Sequence, residues 1–125
     1  ARYRGSSRVS RGNPDTYDQV FTENCPTRTV LDHVMSKWGI LVLLALSEGT
    51  ARWGQLRRAV DGISEKMLAS TLRTLEADGL VVRTAYPEVP PRVEYALTAR
   101  GDELMQRVLP LMGWIADNAD EIVAR

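Results

Sequence analysis

The side chains best suited to recognition chemistry sit together between Ser64 and Ala77, in the stretch "SEKMLASTLRTLEA". Leu68, Leu72 and Leu75 recur at helical spacing and form one apolar stripe. Lys66, Ala69, Ser70, Arg73 and Ala77 fall on the other face, with Thr71 beside Ser70 and less exposed by the periodicity. Such residues suit a helix in the major groove of DNA. Arginine and lysine can meet guanine edges or phosphates, the hydroxyls serve either, and alanine can meet a thymine methyl. Arg57 and Arg58 point outward from the segment before this one, and Arg83 and Arg92 stand on either side of a proline-rich loop after it.

A second chemical candidate is the only cysteine, Cys25. It precedes Pro26 at a helix start, where backbone N–H groups favour a thiolate, and Arg28 follows three residues on. An inert, packed thiol is the alternative. His33, the only histidine, lies eight residues along, or about 12 Å of helix, too far for a Cys–His dyad. There is no metal-ligand spacing, glycine-rich phosphate loop or Ser/His/Asp arrangement. The expectation is a protein that is not an enzyme, with no catalytic residue, metal or cofactor. Trp38 and Trp53 read as core anchors, although with Tyr17 they could line a pocket for a small aromatic effector.

These residues need a scaffold to hold them. A chain of 125 residues makes one domain, and 44% hydrophobic with 26% charged residues describes an ordinary globular protein. Its formal net charge is zero, but the charge is unevenly placed. Arg2, Arg4, Arg8 and Arg11 open the chain without an acid, whereas Asp102, Glu103, Asp117, Asp120 and Glu121 make its end acidic. One cysteine excludes an internal disulfide framework and points to a reducing compartment. The longest apolar run, Ile40 to Leu46, is far too short to span a membrane, and the start lacks a signal-peptide core. A cytoplasmic protein is expected.

Along the chain, residues 1–24 read as a basic arm followed by a short helix from Asn13, with Tyr17, Val20 and Phe21 on one face. A helix after Cys25-Pro26 would present Val30, Leu31 and Val34. "WGILVLLALSEG", apolar nearly all round, predicts a central core helix stopped by Gly49. Gly54 to Val60 should turn Leu56, Ala59 and Val60 inward. Ser64 then caps the polar-faced helix and Gly79 ends it. Two β-prone runs flank Pro87, Pro90 and Pro91, which have no N–H to give a hairpin ladder. Thr98 caps a long final helix, with a possible bend at Pro110. Along it Leu104, Val108, Leu111, Ile115, Ala119 and Ile122 recur at spacings of three or four, a seam suited to dimerisation.

Helix, tight turn, polar-faced helix and hairpin, in that order, make a winged helix-turn-helix: mainly α, with a small β-hairpin wing and a long C-terminal dimerisation helix. Arg83 and Arg92 on the wing would neutralise phosphates, and a stiff loop loses little entropy on docking. A winged-helix module for protein partners is the alternative, because fold does not fix function.

The stretches "NCP", "KW", "WGQLRRAVDGIS" and "LRTLEADGLVVRTAYPEVPPRVEYALTARG" resemble the HxlR-type family of bacterial regulators, itself related to the MarR type. The resemblance runs from Cys25 to the C-terminus. Met35-Ser36 stand where the family usually has Gly-Gly before Lys-Trp, a departure confined to the start of one helix. The resemblance implies a homodimeric repressor of palindromic double-stranded operator DNA. Several family members sense quinones, aldehydes or oxidants through a cysteine at the position of Cys25, so a small electrophile is an expected effector. A ligand-responsive regulator remains the other reading of the signal.

Overall fold

In a computed structural model of the protein, the residues described are 23 and 25–124. The basic arm of residues 1–12 and the helix expected from Asn13, with Tyr17, lie outside them. The chain divides into two compact units, Ala1–Ser36 and Lys37–Arg125. The division falls after Ser36, at the break between two helices.

Within the first unit, helix α1 spans Pro26–Val34. Pro26 fits there because its fixed φ suits the first helical turn and its missing N–H would have had no helical partner. Cys25 is the N-cap, and its Sγ accepts a hydrogen bond from the Arg28 backbone N–H at 3.2 Å. Of the three apolar residues expected on one buried face only Val34 is buried. Val30 and Leu31 are exposed.

The second unit is built around α2, Lys37–Leu46. This helix is apolar nearly all round because four other elements pack on it, leaving Leu41 as its exposed apolar residue. It packs on α3 (Trp53–Ala59), α4 (Glu65–Ala77), β2 (Arg92–Leu97) and α5 (Ala99–Val123). Val42, Leu43 and Leu46 are fully covered, and they meet Leu56, Leu68, Leu72, Leu75 and Met105 in one core. Gly49, at φ 138°, turns the chain after the helix, a conformation open to glycine. Helix α3 starts with the Arg52 N–H donating to Gln55 Oε1 at 2.7 Å. Leu56 and Val60 are buried as expected, but Ala59 is exposed. Val60 has already left helical geometry, with ψ 89°, and it alone turns inward at that end.

Strands β1 (Val81–Tyr86) and β2 pair antiparallel, from Val81 opposite Leu97 to Tyr86 opposite Arg92. Ala51 extends the pairing by one bridge to Tyr95, exchanging hydrogen bonds of 2.9 and 2.8 Å. Helix α5 then runs as one element of 25 residues through Pro110, about 37 Å long. Its start is fixed by Thr98, whose Oγ1 accepts from the Gly101 N–H at 3.1 Å and donates to the Gly79 carbonyl at 2.6 Å.

Gly101 is required by close approach. A Cβ there would stand 2.2 Å from the Leu80 carbonyl oxygen, backbone that cannot swing aside. Gly101→Ala should therefore destabilise the protein by about 1–3 kcal/mol, as overpacking does. Gly54→Ala, whose Cβ would meet only the end of the Arg58 side chain at 3.4 Å, should be neutral or stabilising by up to about 1 kcal/mol. Urea unfolding of the two variants measures the contrast.

Candidate nucleic-acid interface

Helix α4 presents its side chains from a well-defined start. The chain leaves α3 at Val60, turns through Gly62 at φ 88°, buries Ile63 and reaches Ser64. Ser64 is the N-cap, its Oγ accepting from the Met67 N–H at 3.0 Å. Leu68, Leu72 and Leu75 are buried. That fixes the rotation of the helix and leaves Lys66, Ser70, Arg73 and Ala77 on one exposed line at spacings of four, three and four. Ala69 and Thr71 are half-buried, and Thr71 lies nearer the core than Ser70.

Two further groups flank this line. Met67 is 39% exposed on the first turn of α4, the turn that reaches base edges in helix-turn-helix proteins. Met67 was not among the residues expected from the sequence to meet DNA. The signal was there in its angle, since it stands a full 100° away from Leu68 around the helix. Thr74 is half-buried on the same side. Arg57 on α3 lies 3.7 Å from Glu65, both exposed, so that contact adds little stability but links the two helices. Arg58 is exposed beside it.

The hairpin separates its two arginines. Side chains alternate across a strand, and Arg83 is opposite Tyr95 whereas Arg92 is opposite Tyr86. Arg83 thus shares a face with Val81, Ala85 and Val93, and Arg92 shares the other with Thr84, Tyr86 and Glu94. Arg83 is exposed and has no ion pair among the described residues. Arg92 is engaged on three sides. Its Nη2 and Nε reach the two carboxylate oxygens of Glu88 at 2.7 and 3.3 Å, its Nη1 pairs with Glu94, and its guanidinium lies 3.9 Å from the centre of the Tyr86 ring. Arg92, expected as a phosphate contact, has its charge opposed by these two carboxylates. The Arg92 hydrogen bond holds the Glu88 carboxyl below the usual glutamate range, and Glu88 in turn pushes the arginine pKa further up. A depressed carboxyl pKa means the pair persists through neutral pH and opens only as pH falls below that range.

Val108 and Met105 of the seam-bearing helix are buried in their own chain, and Leu104 and Ala119 are half-buried. Val108 is thus a core residue of one chain. From Leu109 onward no described residue of the helix is buried, although Met112, Asn118 and Ala119 are half-buried. Leu111, Trp114, Ile115 and Ile122 are exposed at 46, 58, 42 and 50%. A groove of about 490 Å³ is lined by Leu41, Leu44, Ala45, Ala59 and Val60 with Glu48 and Asp61. Among the described residues no group of three or more His, Cys, Asp or Glu could hold a metal, and no single helix is long and apolar enough to cross a membrane.

A capped helix with a polar outer line, a preceding helix and tight turn, and a following hairpin make up the site. The HxlR-like helix-turn-helix family matches residues 33–123. The chain belongs to the HxlR family. This HxlR protein is 49% identical over 118 residues to the HTH-type transcriptional regulator YtfH of Escherichia coli (strain K12), covering 94% of each chain. A match of that length extends ahead of Cys25, beyond the resemblance quoted from the sequence. The solved structure of the transcriptional regulator ytfH from Salmonella typhimurium is 50% identical, with a TM-score of 0.78 over 84% of this chain and 94% of that one. The redox regulator HypR in its oxidised form is 42% identical, with a TM-score of 0.66 over 75% and 97%. The HxlR protein is thus a winged helix-turn-helix transcriptional regulator.

Because the Ser64 hydroxyl alone caps α4 with its side chain, Ser64→Ala should cost about 1 kcal/mol of stability. Chemical denaturation of the variant beside wild type measures it.

Proposed function

We propose that this HxlR protein is a homodimeric repressor that binds a palindromic operator in the bacterial cytoplasm, with α4 of each subunit in the major groove. The observation that carries the reading is the exposed line Lys66, Ser70, Arg73 and Ala77 on a helix whose opposite stripe is locked in the core. In this reading Lys66 and Arg73 meet guanine edges, with Ser70 and Met67 beside them and Thr71 at the margin. Arg57, Arg58 and Arg83 neutralise flanking phosphates. The basic residues of the 1–24 segment add an arm, to the DNA or across the dimer.

The exposed apolar half of α5 supports the dimer. Leu111, Trp114, Ile115 and Ile122, continuing the seam from Leu104, would leave a large apolar surface wet in a monomer. Two subunits would set their reading helices one DNA turn apart, roughly 34 Å. For the signal we favour Cys25. Its sulfur caps a helix, so modification would remove the cap to Arg28 and disturb the helix start. HypR, a redox regulator of the same fold solved in oxidised and reduced forms, supports this choice. The groove beside Val60 and Asp61 keeps a ligand-responsive mechanism as the second reading, since those residues lead into the turn before α4.

The test is to sequence the genomic DNA retained by the purified protein and measure affinity for the enriched palindrome. Lys66→Ala and Arg73→Ala should each cost about 1–3 kcal/mol at that site, and unchanged affinity in both would remove α4 from the groove. Arg83→Ala should weaken all duplexes alike and make the salt slope shallower by about 0.9. Ile115→Glu should halve the mass measured by sedimentation equilibrium. Diamide should release wild type from the operator and spare Cys25→Ser; release of both would favour the groove.

A further inference from the structure

We infer that Arg92 is a positioning residue of the wing: with Glu88, Glu94 and Tyr86 it clasps the loop tip in shape, and it does not itself contact DNA. The inference rests on the DNA-binding reading above and concerns how the wing serves it.

The loop between the strands needs such a device. The ladder ends at the pair Tyr86 and Arg92, leaving residues 87–91 outside it. Three of those five are proline, so only Glu88 and Val89 have an N–H to give. The Glu88 N–H returns to the Tyr86 carbonyl at 2.8 Å, and no other backbone bond of the loop is recorded among the described residues. Backbone bonding therefore cannot define the tip. Side chains do. Glu88 reaches back from the loop to Arg92 as a two-pronged acceptor, a geometry that matches the planar guanidinium fork. Glu94 takes the fork's other arm from the strand, and the Tyr86 ring lies against its face. Arg92 is thereby reduced to 24% side-chain exposure at the far end of an otherwise open hairpin.

Charge decides against direct phosphate contact. One guanidinium stands against two carboxylates, and Arg52 also acts on Glu88, so Arg92 brings no spare positive charge to a phosphate. A phosphate could win Arg92 only by displacing a bidentate partner and leaving Glu88 exposed toward the DNA. What the clasp presents at the tip is Val89, fully exposed between prolines, while Arg83 on the opposite face keeps its charge available.

The two roles for Arg92 predict opposite results. If it contacted phosphate, Glu88→Gln would release it and remove a repelling charge, and DNA would bind more tightly. A clasp makes Glu88→Gln bind less tightly, by about threefold. Arg92→Ala should lose about tenfold. Arg92→Lys should lose about as much, because lysine keeps the charge without the fork. Neither should change the salt slope, unlike Arg83→Ala. Without DNA, ¹⁵N relaxation should show the Val89 amide order parameter falling from the rigid range of about 0.85 toward about 0.6 in Arg92→Lys and Glu88→Gln. Tighter binding by Glu88→Gln, a shallower slope for Arg92→Ala, rescue by lysine, or an unmoved Val89 amide would each overturn the clasp. If wild type retains no DNA at all, the DNA-binding reading fails instead, and the relaxation result still judges the clasp.

Discussion

The geometry of the reading surface depends on one tight junction at Leu80. Its N–H closes the end of α4 onto the Leu75 carbonyl at 3.0 Å, and its own carbonyl accepts from the Thr98 N–H at 3.0 Å. Gly101 leaves room for that carbonyl where any side chain would collide. Thr98 adds a bond from its hydroxyl to Gly79, which adopts φ 77° as the helix-ending glycine. The end of the reading helix, the base of the wing and the start of the terminal helix are thus fastened within a few residues. A shift in any one must be taken up by the other two, because packed cores resist continuous deformation.

That coupling gives physical meaning to a long helix with two different halves. Its first half buries Gly101, Met105 and Val108 against the domain that holds α4 and the hairpin. Its second half carries an apolar face that a single chain leaves uncovered. In the proposed dimer such a helix would carry the spacing between subunits to the spacing between the two α4 helices, because an α-helix keeps a fixed rise along its length.

Zero net charge concealed an arrangement of charge. The cations near α3 and α4 are exposed and little opposed, Arg57 having only the 3.7 Å contact with Glu65. On the wing, by contrast, carboxylates outnumber the arginine they surround. A charge count could not distinguish these cases. Arg83 and Arg92 look equivalent in the sequence, nine residues apart and each on a strand. The register puts them on opposite faces and gives them different partners.

The sequence by itself determined what is set by local rules. Ser64, Thr98, Gly49 and Gly79 mark helix ends through their own bonding capacity or backbone freedom, and each stands where that capacity is used. The period of Leu68, Leu72 and Leu75 dictated the rotation of α4, and hence the exposure of Lys66, Ser70 and Arg73. The tertiary structure decided what depends on residues distant in sequence or on strand register. It buried Val108, one residue of the seam, in the core of its own chain. It left Ala59 exposed because Val60 departs from helical geometry, and it left Val30 and Leu31 uncovered despite their periodicity. It also joined Tyr86 and Glu88 to Arg92 and Glu94, since strand pairing sets the ring opposite the guanidinium and the return of the loop brings the Glu88 carboxylate to it.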